Sequence, residues 1–99
     1  MSIYALTEHF PSKEVYGITS QMRRAAVSVP SNIAEGRRRG SDADFRQFLR
    51  VAYGSLAELE TQLLISKRLS YCNERKYNEL YAEITAVGKM LHAMIKKLS

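Results

Sequence analysis

The chain has 99 residues, 45% hydrophobic and 25% charged, a balance that fits one folded domain spanning residues 1–99 and excludes a disordered chain. Lys and Arg number 15 against 10 Asp and Glu, which leaves a net charge of +5. The single cysteine, Cys72, excludes an internal disulfide scaffold, and charges interrupt every apolar stretch short of the ~20 residues of a membrane span. Met1-Ser2-Ile3-Tyr4-Ala5 lacks the basic-then-apolar pattern of a signal peptide, which points to a reduced, cytoplasmic compartment.

Gly and Pro are sparse and no stretch alternates apolar with polar, so the chain reads as helical almost throughout. The first element is a short stub, Ser2–His9, closed by Phe10-Pro11. Ser12 is placed to cap a second helix with Glu14 in its first turn. That helix carries Val15, Ile18, Met22, Ala25, Ala26, Val29 and Ile33 at three- and four-residue steps and ends at Gly36. Pro30 lacks an amide donor and crowds the preceding turn, so a kink or break is expected there, with Ser31 and Asn32 satisfying the freed backbone groups.

Ser41 opens the third helix as its N-cap, with Asp44 three residues on. The stripe Phe45, Phe48, Leu49, Ala52, Leu56, Leu59, Leu63, Ser66 is nearly a heptad seam, which belongs to a bundle or coiled coil. Asp42 to Leu69 would span about 42 Å at ~1.5 Å per residue. Asn73 caps the last helix, whose apolar face is Tyr77, Leu80, Tyr81, Ile84, Val87, Leu91, Met94, Ile95 and Leu98. Gly54 and Gly88 lie inside helices at a cost of about 1 kcal/mol each, which suggests close approach of a neighbouring helix. The architecture expected is an all-α, antiparallel up-and-down four-helix bundle with a shortened first helix. A two-turn stub cannot cover the groove left by three long helices, so the chain is expected to oligomerise.

Catalytic machinery is hard to find. No Glu is followed by His three positions later, His9 and His92 are isolated, and Cys72 has no partner at zinc spacing. Glu58 and Glu60 are two apart and point to different sides of a helix, and there is neither a nucleophile elbow nor a Gly-rich phosphate loop. No metal, cofactor or enzymatic activity is expected. The basic residues are the remaining signal. Arg37-Arg38-Arg39 is the only basic run, and Arg46 and Arg50, four apart on one helical face, extend it into a stripe suited to phosphates.

The run from Tyr16 to Gly36, with Gln21-Met22-Arg23-Arg24-Ala25-Ala26-Val27-Ser28-Val29-Pro30-Ser31-Asn32-Ile33-Ala34-Glu35-Gly36 at its heart, resembles the signature of the bacterial 23S ribosomal RNA intervening-sequence (four helix bundle) protein family. The block Phe45–Leu63, with Ala52-Tyr53-Gly54-Ser55-Leu56-Ala57-Glu58-Leu59-Glu60, matches it too. The resemblance implies a four-helix bundle assembled into a ring-like homopentamer. It also implies a likeness to the accessory variability determinant proteins of diversity-generating retroelements, which bind nucleic acid and a reverse transcriptase. Arg23 and Arg24 fall on the family's paired arginines, and Glu58 and Glu60 on its two acidic positions. Two readings follow. The first is a non-enzymatic nucleic-acid-binding accessory factor working through Arg37, Arg38, Arg39, Arg46 and Arg50. The second is a protein-interaction scaffold in which Arg23 and Arg24 pair with Glu35, Glu58 or Glu60 at subunit contacts and the free surface docks a protein such as a reverse transcriptase.

Overall fold

The N-cap chemistry written in the sequence sets two of the three long helices. In the computed structural model, which describes residues 3–99, Ser41 Oγ accepts the Asp44 amide at 3.1 Å and opens a helix over Asp42–Arg68. Asn73 Oδ1 accepts the Lys76 amide at 2.8 Å and opens a helix over Glu74–Lys97. With Ile3–Thr7 and Ile18–Arg37 before them, the helices in chain order are α1 (Ile3–Thr7), α2 (Ile18–Arg37), α3 (Asp42–Arg68) and α4 (Glu74–Lys97). Among the described residues there is no strand. Ser2, where the expected stub begins, lies outside them.

α3 is the axis of the bundle. Leu49, Leu59 and Leu63 are fully buried, and Ala52, Leu56 and Ser66 of the same stripe are buried with them. Its partners run antiparallel on either side. Met22 meets Ser66 and Ser28 meets Ser55 across α2, while Tyr53 meets His92 and Lys67 meets Tyr77 across α4. α4 approaches only α3 among the helices, and α1 lies against α2. The molecule is 43 Å long, little more than the ~40 Å of the 27-residue α3.

Several expectations are corrected. Ser12 does not cap α2. A 3-10 turn occupies Ser12–Glu14, and α2 starts at Ile18 behind Gly17, with no side-chain cap. Glu14 is diverted from any helix terminus because its Oε2 accepts the Tyr71 hydroxyl at 2.8 Å, and Val15 is left exposed outside the helix. Pro30 neither breaks nor ends α2, which continues through it to Arg37. Asn32 donates to Ser28 O at 2.8 Å and to Ser28 Oγ at 2.9 Å, and Ser28 Oγ lies 2.8 Å from Ser55 Oγ, so this polar group bridges α2 to α3.

The glycines also trade places. Nothing lies within 4 Å of a Cβ built at Gly54, and one at Gly88 would make only an ordinary 3.5 Å contact with Leu56. The close helix approach is at Gly36, where an added Cβ would sit 2.8 Å from Phe48 Cβ and 2.9 Å from Phe45 Cδ1. Gly40, at φ +83°, makes the left-handed turn into α3. On α4, Leu80, Ile84 and Leu91 are buried as expected, but Tyr81 is exposed.

Candidate nucleic-acid interface and subunit contacts

Antiparallel packing gathers the C-terminus of α2, the N-terminus of α3 and the C-terminus of α4 at one end of the bundle. Arg46 marks the junction: its Nη1 donates to Leu98 O at 2.8 Å, closing an orphan carbonyl beyond α4. A hydrogen bond from a charged donor to a helix C-terminus is favoured by the helix dipole, so this guanidinium is committed to the fold. Arg39 is also engaged. It pairs with Glu35 Oε1 at 2.9 Å and lies 5.0 Å over the Phe48 ring. Arg37, Arg38 and Arg50 are exposed, and none has a carboxylate within ion-pair distance among the described residues.

Lys96 and Lys97, in the last turn of α4, arrive at the same end. It therefore holds seven cations, namely Arg37, Arg38, Arg39, Arg46, Arg50, Lys96 and Lys97, against the side-chain carboxylates of Glu35, Asp42 and Asp44. Around the opposite end the balance is closer: Lys13, Lys67, Arg68, Arg75 and Lys76 face Glu8, Glu14, Glu74 and Glu79, with Lys67–Glu74, Arg75–Glu79 and Lys76–Glu79 in ion-pair contact. The net positive charge thus has a place. The two lysines are absent from the sequence-derived set because only the pairing of α4 with α3 brings them beside Arg46.

The other predicted residues separate into different environments. Arg23 Nε donates to Thr7 Oγ1 at 2.8 Å, and its guanidinium lies 4.7 Å from the Tyr4 ring centroid, pinning α1 to α2. Arg24 and Glu58 border one small cleft between α2 and α3, and neither is ion-paired among the described residues. Glu58 accepts from Gln62 Nε2 at 3.1 Å. Glu60 faces the other side of α3, toward α4. Glu35 is held by Arg39 of its own chain. Beside Arg24, Tyr4, Val15 and Val27 form an exposed apolar rim, with the 95%-exposed Tyr16 next to it in sequence.

Among the described residues no three His, Cys, Asp or Glu side chains are grouped to hold a metal ion, and no helix is long and apolar enough to cross a membrane. Burial pushes the Cys72 thiol above its ordinary range, against the opposing pull of Lys76 and Lys67. A raised thiol is a poor nucleophile, because the thiolate is the reactive form.

The family of 23S rRNA-intervening sequence proteins matches residues 1–93. The chain belongs to that family. Among solved structures it is similar to the crystal structure of a protein with unknown function from the S23 ribosomal protein family of Bacteroides thetaiotaomicron. The two are 26% identical with a TM-score of 0.87, over 95% of this chain and 85% of that one. No curated protein matches the sequence. Family membership agrees with the all-helical bundle, in which Arg23 and Arg24 are divided between an internal clamp and an exposed cleft.

Proposed function

We propose that this family member is a non-enzymatic accessory protein that binds nucleic acid through its basic end, mainly by contacts to the phosphate backbone. The observation that carries this reading is the segregation of charge. Seven cations converge where α2, α3 and α4 meet, and Arg37, Arg38 and Arg50 have no carboxylate partner among the described residues. Arg46 and Arg39, engaged within the fold, shape this surface and contribute its field, while Arg37, Arg38 and Arg50 are free to reach phosphates. Unpartnered guanidiniums on a rigid end bind phosphates with little sequence preference and strong salt sensitivity.

Fluorescence anisotropy with labelled structured RNA and duplex DNA, from about 50 to 200 mM salt, tests the reading. The parent protein is expected to bind with a steep log–log slope, and Arg37→Glu with Arg38→Glu to flatten that slope by about 1.4–1.8. No binding at the lowest salt refutes the reading, and a double variant that binds like the parent refutes the loop as the contact surface.

A second reading, self-association into a homo-oligomer that presents these ends together, has its own support. The rim of Tyr4, Val15 and Val27 is exposed beside Arg24, a composition suited to a subunit contact. The ring-like pentamer implied by the resemblance is compatible with both readings, and a protein partner such as a reverse transcriptase belongs to the scaffold form of this second one.

A further inference from the structure

From the basic end a groove of about 620 Å³ runs between α3 and α4, a size within the ~300–1,000 Å³ of small-ligand sites. Gly88 lies midway along it, and the missing side chain leaves the groove open above Leu56. Two tyrosines line it without being buried: Tyr53 is 42% and Tyr81 41% exposed. Both are braced from the side. The Tyr53 ring lies 6.4 Å from His92, tilted at 47°. Tyr81 stacks on Tyr77 at 5.8 Å and 20°, and Lys67 Nζ lies 4.5 Å from the Tyr77 ring centroid.

α4 adds Lys89 and Lys96 to the same groove, seven residues and so about 10 Å apart along the helix, with His92 between them. Neither lysine has an ion-pair partner among the described residues, and Glu60 is the one carboxylate in the lining. Lys96 belongs both to this groove and to the basic end, so the two surfaces are continuous.

We propose that this groove takes an unpaired segment of nucleic acid, with a base stacked on Tyr53 and the flanking phosphates held by Lys89 and Lys96. The inference rests on the nucleic-acid reading above and deepens it by naming the form bound. Exposed aromatic faces beside a cationic track are how proteins hold single strands, because every base offers a π-face. Bases inside a duplex are already stacked and cannot reach Tyr53. The sequence hides this site because Tyr53 and Lys89 lie on different helices, 36 positions apart.

The test measures binding of a short unstructured single-stranded RNA, and of its duplex, to the parent, Tyr53→Ala, Tyr53→Phe, Lys89→Glu/Lys96→Glu and Arg37→Glu/Arg38→Glu, with thermal melts to confirm folding. Tyr53→Ala is expected to weaken single-strand binding at least about five-fold with the salt slope unchanged, while Tyr53→Phe, which keeps the ring, binds like the parent. Lys89→Glu/Lys96→Glu is expected to flatten the single-strand slope by about 1.4. If the parent binds and the loop variant loses binding while the groove variants match the parent, the groove is overturned and the nucleic-acid reading stands. If the parent binds neither RNA at low salt, both fall. Equal loss in Tyr53→Phe and Tyr53→Ala, or an equal effect of Tyr53→Ala on duplex binding, overturns the stacking role.

Discussion

Gly36 sits where α2 presses on the first turns of α3, with Phe45 and Phe48 against it. A methyl group there would fall 2.8 Å from Phe48 Cβ and 2.9 Å from Phe45 Cδ1. Phe48 Cβ is fixed to the α3 backbone and cannot swing away, so relief requires the two helices to separate. Gly36→Ala gains helix propensity, but overpacking of this kind typically costs about 1–3 kcal/mol, which outweighs the ~1 kcal/mol gained. Chemical denaturation should show a lower midpoint with an unchanged slope, and an equal or higher midpoint would mean that α2 and α3 are not this close. Arg46 teaches a related lesson. Its charge is visible in the sequence as part of a basic stripe, yet its guanidinium satisfies Leu98 O, 52 residues away.

At the scale of elements, the segment between α1 and α2 is held from a distance. Tyr71, in the turn between α3 and α4, donates to Glu14 at 2.8 Å, and its ring lies 5.3 Å from Phe10. This hydrogen bond, reinforced by burial and by the Glu14 charge, raises the Tyr71 pKa above its ordinary 10.0. The neutral phenol is therefore favoured in the folded state. Its contribution to stability is complete below pH 10 and is lost as pH rises through the higher folded value. Tyr71→Phe should be less stable than the parent at neutral pH, and the gap should narrow above pH 10. Denaturation midpoints measured for both proteins from pH 8 upward check this, and a gap that stays constant would remove Glu14–Tyr71 as its cause.

The same contact explains why part of the fold could be read from the sequence and part could not. α3 and α4 were legible because Ser41 and Asn73 act on amides three residues away and the apolar seams recur locally. The start of α2 was not, because Ser12 and Glu14 look like an N-terminus until a tyrosine 57 residues on takes the carboxylate. The candidate site divides along the same line. Arg37 and Arg38 are exposed in either view, though the structure puts Arg37 in the last turn of α2, whereas the juxtaposition of Lys96, Lys97 and the Tyr53–His92 groove exists only once α4 lies antiparallel on α3.

At the scale of the whole molecule, α2 and α4 flank α3 without approaching each other closely, and α1 is too short to bridge the gap. Tyr4, Ala26, Val29, Pro30, Ile33 and Val87 line the apolar cleft that results. The exposed rim of Val15 and Val27 continues this surface on the same side of α2. Apolar area left in water is worth about 25 cal/mol per Å² when covered, so several hundred square ångströms would supply a strong drive to associate. Arg24 and Glu58, in one cleft and not paired with each other, offer charges that fix orientation across a contact more than they add affinity. Sedimentation of the parent should therefore give a mass above the monomer that falls on dilution. Val27→Asp, which places a charge on the rim without touching the buried core, should shift the mass toward the monomer while leaving helicity unchanged. Arg23→Ala is expected to loosen α1 as well, because Arg23 holds Thr7 and the rim residue Tyr4, so Val27→Asp is the cleaner probe of the contact. A monomeric parent at every concentration would leave α2 facing solvent and require each basic end to bind nucleic acid singly, whereas a Val27→Asp variant that keeps an oligomeric parent's mass would place the subunit contact away from this rim.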